Sequence, residues 1–210
     1  MVRRMEASSS DLTARARIRD AALAEFAERG VSGATIRGVA EAAGVSPALV
    51  QHHFGTKAGL RAACDAHVLE YLRGEAKAGI EEGRVGDPQF VAALQRSAPP
   101  LLRYLARALV DGSPAAATVF DELVGITENH LAGGAGLSDP HTRAVVFTAM
   151  RLGVTVLHEH VSRGLGEDLF DAGGRVARAT LDVIAPDLVP EGIADRVRTG
   201  LDGFESGADR

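Results

Sequence analysis

Residues 35 to 57 read TIRGVAEAAGVSPALVQHHFGTK, and this stretch limits the chain more tightly than any other. Thr35 suits the N-cap of a short helix, because its hydroxyl can accept from an otherwise orphaned first-turn amide. Val39 and Ala40 are that helix's inward residues, and Gly44 ends it. Ser46 caps the next helix, where Pro47 at the first position loses nothing by lacking an N–H. Val50 and Phe54 stand four apart on one face of this second helix. Two helices of about two turns joined through Ala43-Gly44-Val45 make a helix-turn-helix. With Val50 and Phe54 inward, Pro47, Ala48, Gln51 and His52 occupy the outward arc, and Leu49 and His53 lie at its margins.

Such an arc fits a DNA groove. The amide of Gln51 can bond bidentately to adenine N6 and N7, or it can simply be solvated. Arg37 can reach a guanine or a phosphate, or it can pair with Glu41 four residues on. His52 and His53 have ring N–H groups suited to phosphate oxygens. Being adjacent, they diverge by about 100° on a helix and have no third ligand at hand, so no metal site is expected. No cofactor is expected either.

Charge alone does not identify a DNA reader. The formal net charge is −5, yet residues 1–57 carry eight Lys/Arg against six Asp/Glu, so this part is +2 and the remainder −7. A mildly basic front on an acidic body matters more than the sum.

Upstream, Ile18, Ala21, Ala22, Leu23 and Phe26 form an apolar helical face, and Arg29-Gly30 supplies a basic last turn and a terminating glycine. A helix is expected from about Thr13 to Arg29, after a polar, flexible arm over residues 1–12. Downstream of Thr56, the residues Leu60, Cys64, His67 or Val68, and Tyr71 recur at helical spacing. A helix from there to Gly79 would be about 36 Å long at 1.5 Å per residue. Cys64 on its apolar face reads as core rather than as a redox sensor.

Residues 81–88, EEGRVGDP, read as a loop. Phe90, Val91 and Leu94 open a helix that Pro99-Pro100 should break, with a second helix carrying Leu101, Leu105 and Leu109 beyond. Ser113-Pro114 starts another through Phe120, Val124 and Thr127, running into GGAG. A long apolar helix, started by Asp139 or Ser138, is expected over 141–163, with a small-residue-rich partner over 174–186 ending at Pro186 and a terminal helix from about Pro190 to Phe204.

The run FAERG, followed by TIRGVAEAAGVSPALVQHHFGTKAGL, resembles the N-terminal domain of the TetR/AcrR-type family of bacterial transcriptional regulators. That resemblance covers about Thr13 to Leu60. It implies that Thr35 and Arg37 touch phosphate and base edges, that Ser46, Pro47 and Ala48 open the recognition helix, and that His53 and Lys57 grip phosphates. Gln51 stands where most members have tyrosine, and Leu49 where a small or polar residue is usual, able to touch a thymine methyl or to pack. Gly38 and Gly59 replace residues that are often acidic, so neither of the helices they begin has a capping box.

The resemblance further implies an all-α fold with an N-terminal three-helix helix-turn-helix domain and a helical ligand-binding and dimerisation domain. The corresponding divisions are 1–57, a connecting helix over 58–80, and 81–210. It implies a homodimer on a double-stranded operator, released by an unknown small apolar effector, and most members are repressors. An effector cavity would be lined by Phe90, Leu94, Tyr104, Phe120, Thr127, Phe147 and Met150. The helices over 141–163 and 174–186 would form the twofold interface.

Two other classes compete. No GxSxG, HExxH, phosphate loop or CxxC is present, so no enzyme is expected. A helical lipid or small-molecule carrier would suit the apolar body but leaves the N-terminal motif unexplained. A single cysteine and the lack of a signal-peptide h-region or an apolar run of about 18 residues point to a cytoplasmic protein without membrane segments.

Overall fold

The computed structural model describes residues 2–131, 139–188 and 191–208. Among them every regular element is helical: α1 (Val2–Gly33), α2 (Ile36–Ala43), α3 (Pro47–Phe54), α4 (Lys57–Ala76), α5 (Pro88–Val110), α6 (Pro114–His130), α7 (Pro140–Val156), α8 (His158–Leu165), α9 (Gly173–Leu188) and α10 (Glu191–Ala208). A π-helical turn, Lys77–Glu81, follows α4, and a 3-10 turn, Arg84–Gly86, precedes α5.

The chain divides into two compact units: Met1–Glu70 with Pro100–Ala116, and Tyr71–Pro99 with Ala117–Arg210. The first unit packs α1, α2 and α3 on one another. Its core comprises Ile18, Leu23 and Phe26 of α1, Val39 and Ala40 of α2, Val50 of α3, and Leu60, Cys64 and Val68 of α4, all essentially inaccessible to solvent. Burying one such side chain removes enough apolar surface from water to stabilise the fold by about 1.5–3 kcal/mol.

The stretch 100–116 was expected to fall wholly in the body, but it packs in this first unit. Tyr104 lies tilted against Phe26, ring centroids 6.2 Å apart. Its hydroxyl donates to the Asp65 carboxylate at 2.5 Å, which removes the unmet polar group that burial would otherwise leave.

In the second unit, α10 packs on α9 and on the 3-10 turn. A Cβ on Gly200 would lie 2.2 Å from the Val85 carbonyl oxygen, so only glycine permits that approach.

Helix boundaries differ from the sequence expectations in four places. α1 starts at Val2 rather than near Thr13, since Met, Glu, Ala, Leu and Arg at its start are good helix formers; a left-handed Gly30 (φ 67°) interrupts it where the helix was expected to stop. α5 passes through Pro99-Pro100 unbroken. The two prolines donate no bonds to the Gln95 and Arg96 carbonyls, a cost of about 3 kcal/mol each. Burial of Val91 and Ala98 before them and Leu101 and Leu105 after them opposes that cost. The expected 141–163 helix is two helices parted at Leu157 (φ −89°, ψ 20°), and α9 includes Pro186 rather than ending there. The GGAG run and the proposed Ser138 start lie outside the described residues, as does Pro190; Asp139 caps α7, accepting from the Thr142 amide at 2.9 Å.

Cys64 is buried, its Sγ donating to the Arg19 carbonyl at 3.8 Å, and burial pushes its thiol up to about 12. Only the thiolate is nucleophilic, so iodoacetamide at pH 8 should alkylate native Cys64 on the order of a thousandfold more slowly than an exposed thiol, and at the ordinary rate once the chain is unfolded in urea. Mass spectrometry over time checks this; fast labelling of the folded chain would contradict the burial.

Candidate nucleic-acid interface

Local capping sets the interface. The Thr35 hydroxyl accepts from the Gly38 amide at 3.0 Å and starts α2. At its far end Gly44 adopts the left-handed conformation (φ 63°, ψ 41°). There the Val45 amide donates to the Ala40 carbonyl at 2.9 Å and the Gly44 amide to Glu41 at 3.1 Å, closing α2 and turning the chain into α3. The Arg17 guanidinium donates to the Ala43 carbonyl at 2.5 Å, binding the turn to α1. Ser46 accepts from the Leu49 amide at 3.2 Å, and Pro47 occupies the first turn of α3 as its fixed φ favours.

These constraints divide α3 into two faces. Val50 is fully buried and Phe54 half-buried, its ring covered by the Arg15 guanidinium 5.2 Å from the centroid. Pro47, Ala48, Gln51 and His52 are exposed; Leu49 and His53 are half-buried at the margins. The His53 ring stands between its neighbours, 5.5 Å from His52 and 6.1 Å from Phe54. On α2, Arg37 is exposed and forms no ion pair with Glu41 among the described residues, which leaves its five donors available. Thr35, Arg37, Ser46, Pro47, Ala48, Gln51 and His52 therefore all lie at the surface of one unit, supplied by α2, α3 and the turn between them.

Lys57 has a role that its sequence context did not reveal. Its Nζ donates to the Ala34 carbonyl at 3.0 Å and the Ser32 carbonyl at 3.4 Å, so it ties the first residue of α4 to the end of α1 and keeps one N–H for an outside acceptor. Thr56 was likewise missed as a cap: its hydroxyl accepts from the Gly59 amide at 3.1 Å. An acidic residue at position 59 would not fit in any case, because a Cβ there would lie 2.3 Å from the Phe54 carbonyl oxygen.

The seven residues expected around an effector cavity are divided between the two units. Tyr104 belongs to the first unit and the other six to the second. Phe90 is buried, beneath the Arg84 guanidinium at 4.9 Å, while Met150 is 52% exposed. Thr127 and Thr148 share a hydrogen bond at 3.3 Å, which brings Thr127 beside the helix turn holding Phe147. Leu94 and Phe120 are half-buried. None of the seven lines the cleft of about 470 Å³ found in the second unit, which is formed by residues 73–81 and 122–130.

This architecture, a capped helix-turn-helix with its polar face outward and a separate all-helical unit, defines a DNA-binding protein class. The comparisons narrow it. A model described as bacterial regulatory proteins, tetR family, matches residues 18–64, and one described as a tetracyclin repressor-like C-terminal domain matches 97–193. The chain belongs to the TetR family of bacterial regulatory proteins. It is 40% identical over 145 residues to the HTH-type transcriptional regulatory protein RaaS of Mycobacterium tuberculosis, a match that covers 65% of this chain and 66% of that protein. It is 45% identical over 58 residues to the regulator BetI of Burkholderia thailandensis, covering 28% and 30%. The crystal structure of a gamma-butyrolactone receptor (ArpA like protein) shares the fold at a TM-score of 0.65 and 19% identity, covering 94% of this chain and 99% of that one. CprB from S. coelicolor A3(2) does so at 0.63 and 19%, covering 92% and 98%.

Because Lys57 bonds two carbonyls of its own unit, Lys57→Ala should cost about 1 kcal/mol of stability, in addition to any loss of DNA affinity. A urea unfolding curve superimposable on that of the unmodified chain would contradict the anchoring role.

Proposed function

We propose that this chain is a transcriptional regulator that binds a pseudo-palindromic operator as a homodimer, represses by excluding polymerase, and releases DNA when a small apolar effector occupies its body. The carrying observation is the sorted α3: Val50 buried, with Pro47, Ala48, Gln51 and His52 exposed on a helix whose start is fixed by Ser46. In this reading α3 enters the major groove, with Gln51 on a base edge and Leu49 against a thymine methyl. Arg37 and Thr35 reach base edge and phosphate from α2, and His52, His53 and the remaining Lys57 donor meet phosphates. Kinship with RaaS supports the regulatory role.

The dimer follows from surface chemistry as well as family. Val146 and Met150 on α7 are each 52% exposed, Leu157 53% and Val183 on α9 77%. Exposed aliphatic side chains on these helices suit a self-complementary twofold contact. Two α3 helices so related would enter successive major grooves about 34 to 36 Å apart. The effector would act by preferring a body conformation incompatible with that spacing, a reciprocal coupling of about 1–3 kcal/mol. The role is one of binding rather than catalysis, in the cytoplasm; no helix among the described residues is long and apolar enough to cross a membrane.

Selection of bound sequences from a random DNA library tests the reading. It should return inverted half-sites about one helical turn apart, and Gln51→Ala should flatten the preference at one base pair per half-site, worth about 1–3 kcal/mol. Recovery of unrelated sequences would reject sequence-specific regulation, and an unaltered profile for the variant would remove Gln51 from the reading set.

A further inference from the structure

The cleft in the second unit has walls of matched spacing. One is Arg73, Ala76, Lys77, Ile80 and Glu81, from the end of α4 and the π turn; the other is Glu122, Gly125, Ile126, Asn129 and His130 of α6. Both sets repeat at i, i+3, i+4, i+7 and i+8, the pattern of two helix faces meeting. Here the faces leave about 470 Å³ between them, within the range of about 300–1,000 Å³ usual for small-molecule sites. Gly125 helps to keep it open, since no atom lies within 4 Å of where its Cβ would be.

The π turn directs its residues to this cleft. The Glu82 amide donates to the Lys77 carbonyl, five residues back, at 3.1 Å. Gly79 is buried on the opposite side, where a Cβ would lie 3.0 Å from Val85 and 3.5 Å from Phe90. Lys77, Ile80 and Glu81 are left to line the opening. Turns of this kind are rare and occur disproportionately at functional sites.

The lining also selects a ligand class. The Arg73 guanidinium spans both oxygens of Glu122, its Nε donating at 2.7 Å, so each is already satisfied by the other. Lys77 and Glu81 are exposed and opposite in sign, where an ion pair with a ligand contributes only about 0–1 kcal/mol. The formal charges of the walls cancel, and a charged ligand would lose hydration for little return. Ala76, Ile80 and Ile126 are half-buried and offer apolar surface still to be covered. His130 Nδ1 lies 2.8 Å from the Ile126 carbonyl, which can only accept; Nδ1 therefore carries the proton and Nε2 of the neutral ring is an acceptor. The Asn129 amide, exposed beside it, supplies donors.

The geometry points to this cleft as the effector site, taking an uncharged amphiphile with an apolar body, a carbonyl-type acceptor for Asn129 and a hydroxyl for His130. The assignment rests on the reading of the chain as an effector-responsive regulator, and none of the seven residues that the sequence suggested lines this cleft.

The test uses the full chain with Nile red, a neutral apolar dye that bears a carbonyl, and with anilinonaphthalene sulfonate as its anionic counterpart. Nile red should bind saturably with blue-shifted emission. Gly125→Trp and Asn129→Trp, both at exposed positions, should each weaken it at least about tenfold while circular dichroism and DNA binding without dye stay unchanged. Absence of saturable Nile red binding, or unaltered affinity in both variants, would overturn the site. Tighter, Gly125→Trp-sensitive binding of the anionic dye would overturn the ligand class. The dye readout contains no DNA, so failure of the site and failure of the regulator reading are separable.

Discussion

The shared burial of Val39, Ala40 and Val50 with Ile18, Leu23 and Phe26 is the constraint on which the rest depends. A helix of eight residues such as α3 is too short to persist alone in water, so its direction and rotation come from the side chain it buries. With Val50 inward, the 100° step between residues leaves Gln51 and His52 outward without any further interaction to place them. The left-handed Gly44 then limits how α2 can lead into α3. The outward arc of α3 is thus a by-product of core packing, and a slip in the core would rotate every side chain on it.

The remaining stabilisation of the first unit is directed at its chain ends and turns. Arg17 on the Ala43 carbonyl and Lys57 on the Ser32 and Ala34 carbonyls satisfy acceptors that helix ends leave open. Both cations hold backbone within the unit, although their charge sign alone would assign them to DNA. The modest +2 of residues 1–57 is therefore divided between structure and any phosphate contact.

What could be read in the sequence was local. Thr35, Gly44, Ser46 and Pro47 act within four residues of themselves, and the structure has each in the expected cap or turn position. Cys64 is buried, as its apolar helix face implied. Long-range effects were not legible. Pro99-Pro100 reads as a break, yet the helix continues because both flanks are buried, and Tyr104 joins the first unit through Phe26 and Asp65, residues far from it in sequence. The cleft escaped because its lining is mixed in polarity and resembles a solvated face; only the matched spacing of Arg73–Glu81 with Glu122–His130, bridged by one opposite-charge pair, could have suggested it.

The most direct test of the account is a salt titration of binding to a selected operator and to random DNA. Cationic and N–H donors on phosphates predict that log K for the operator falls linearly with log salt, by about 0.9 per phosphate contact. If the exposed face of α3 reads bases as proposed, the operator keeps an advantage over random DNA of at least about a thousandfold at physiological salt. Equal affinity for both DNAs at every salt concentration, or binding that does not respond to salt, would contradict the assignment of α3 as a DNA reader.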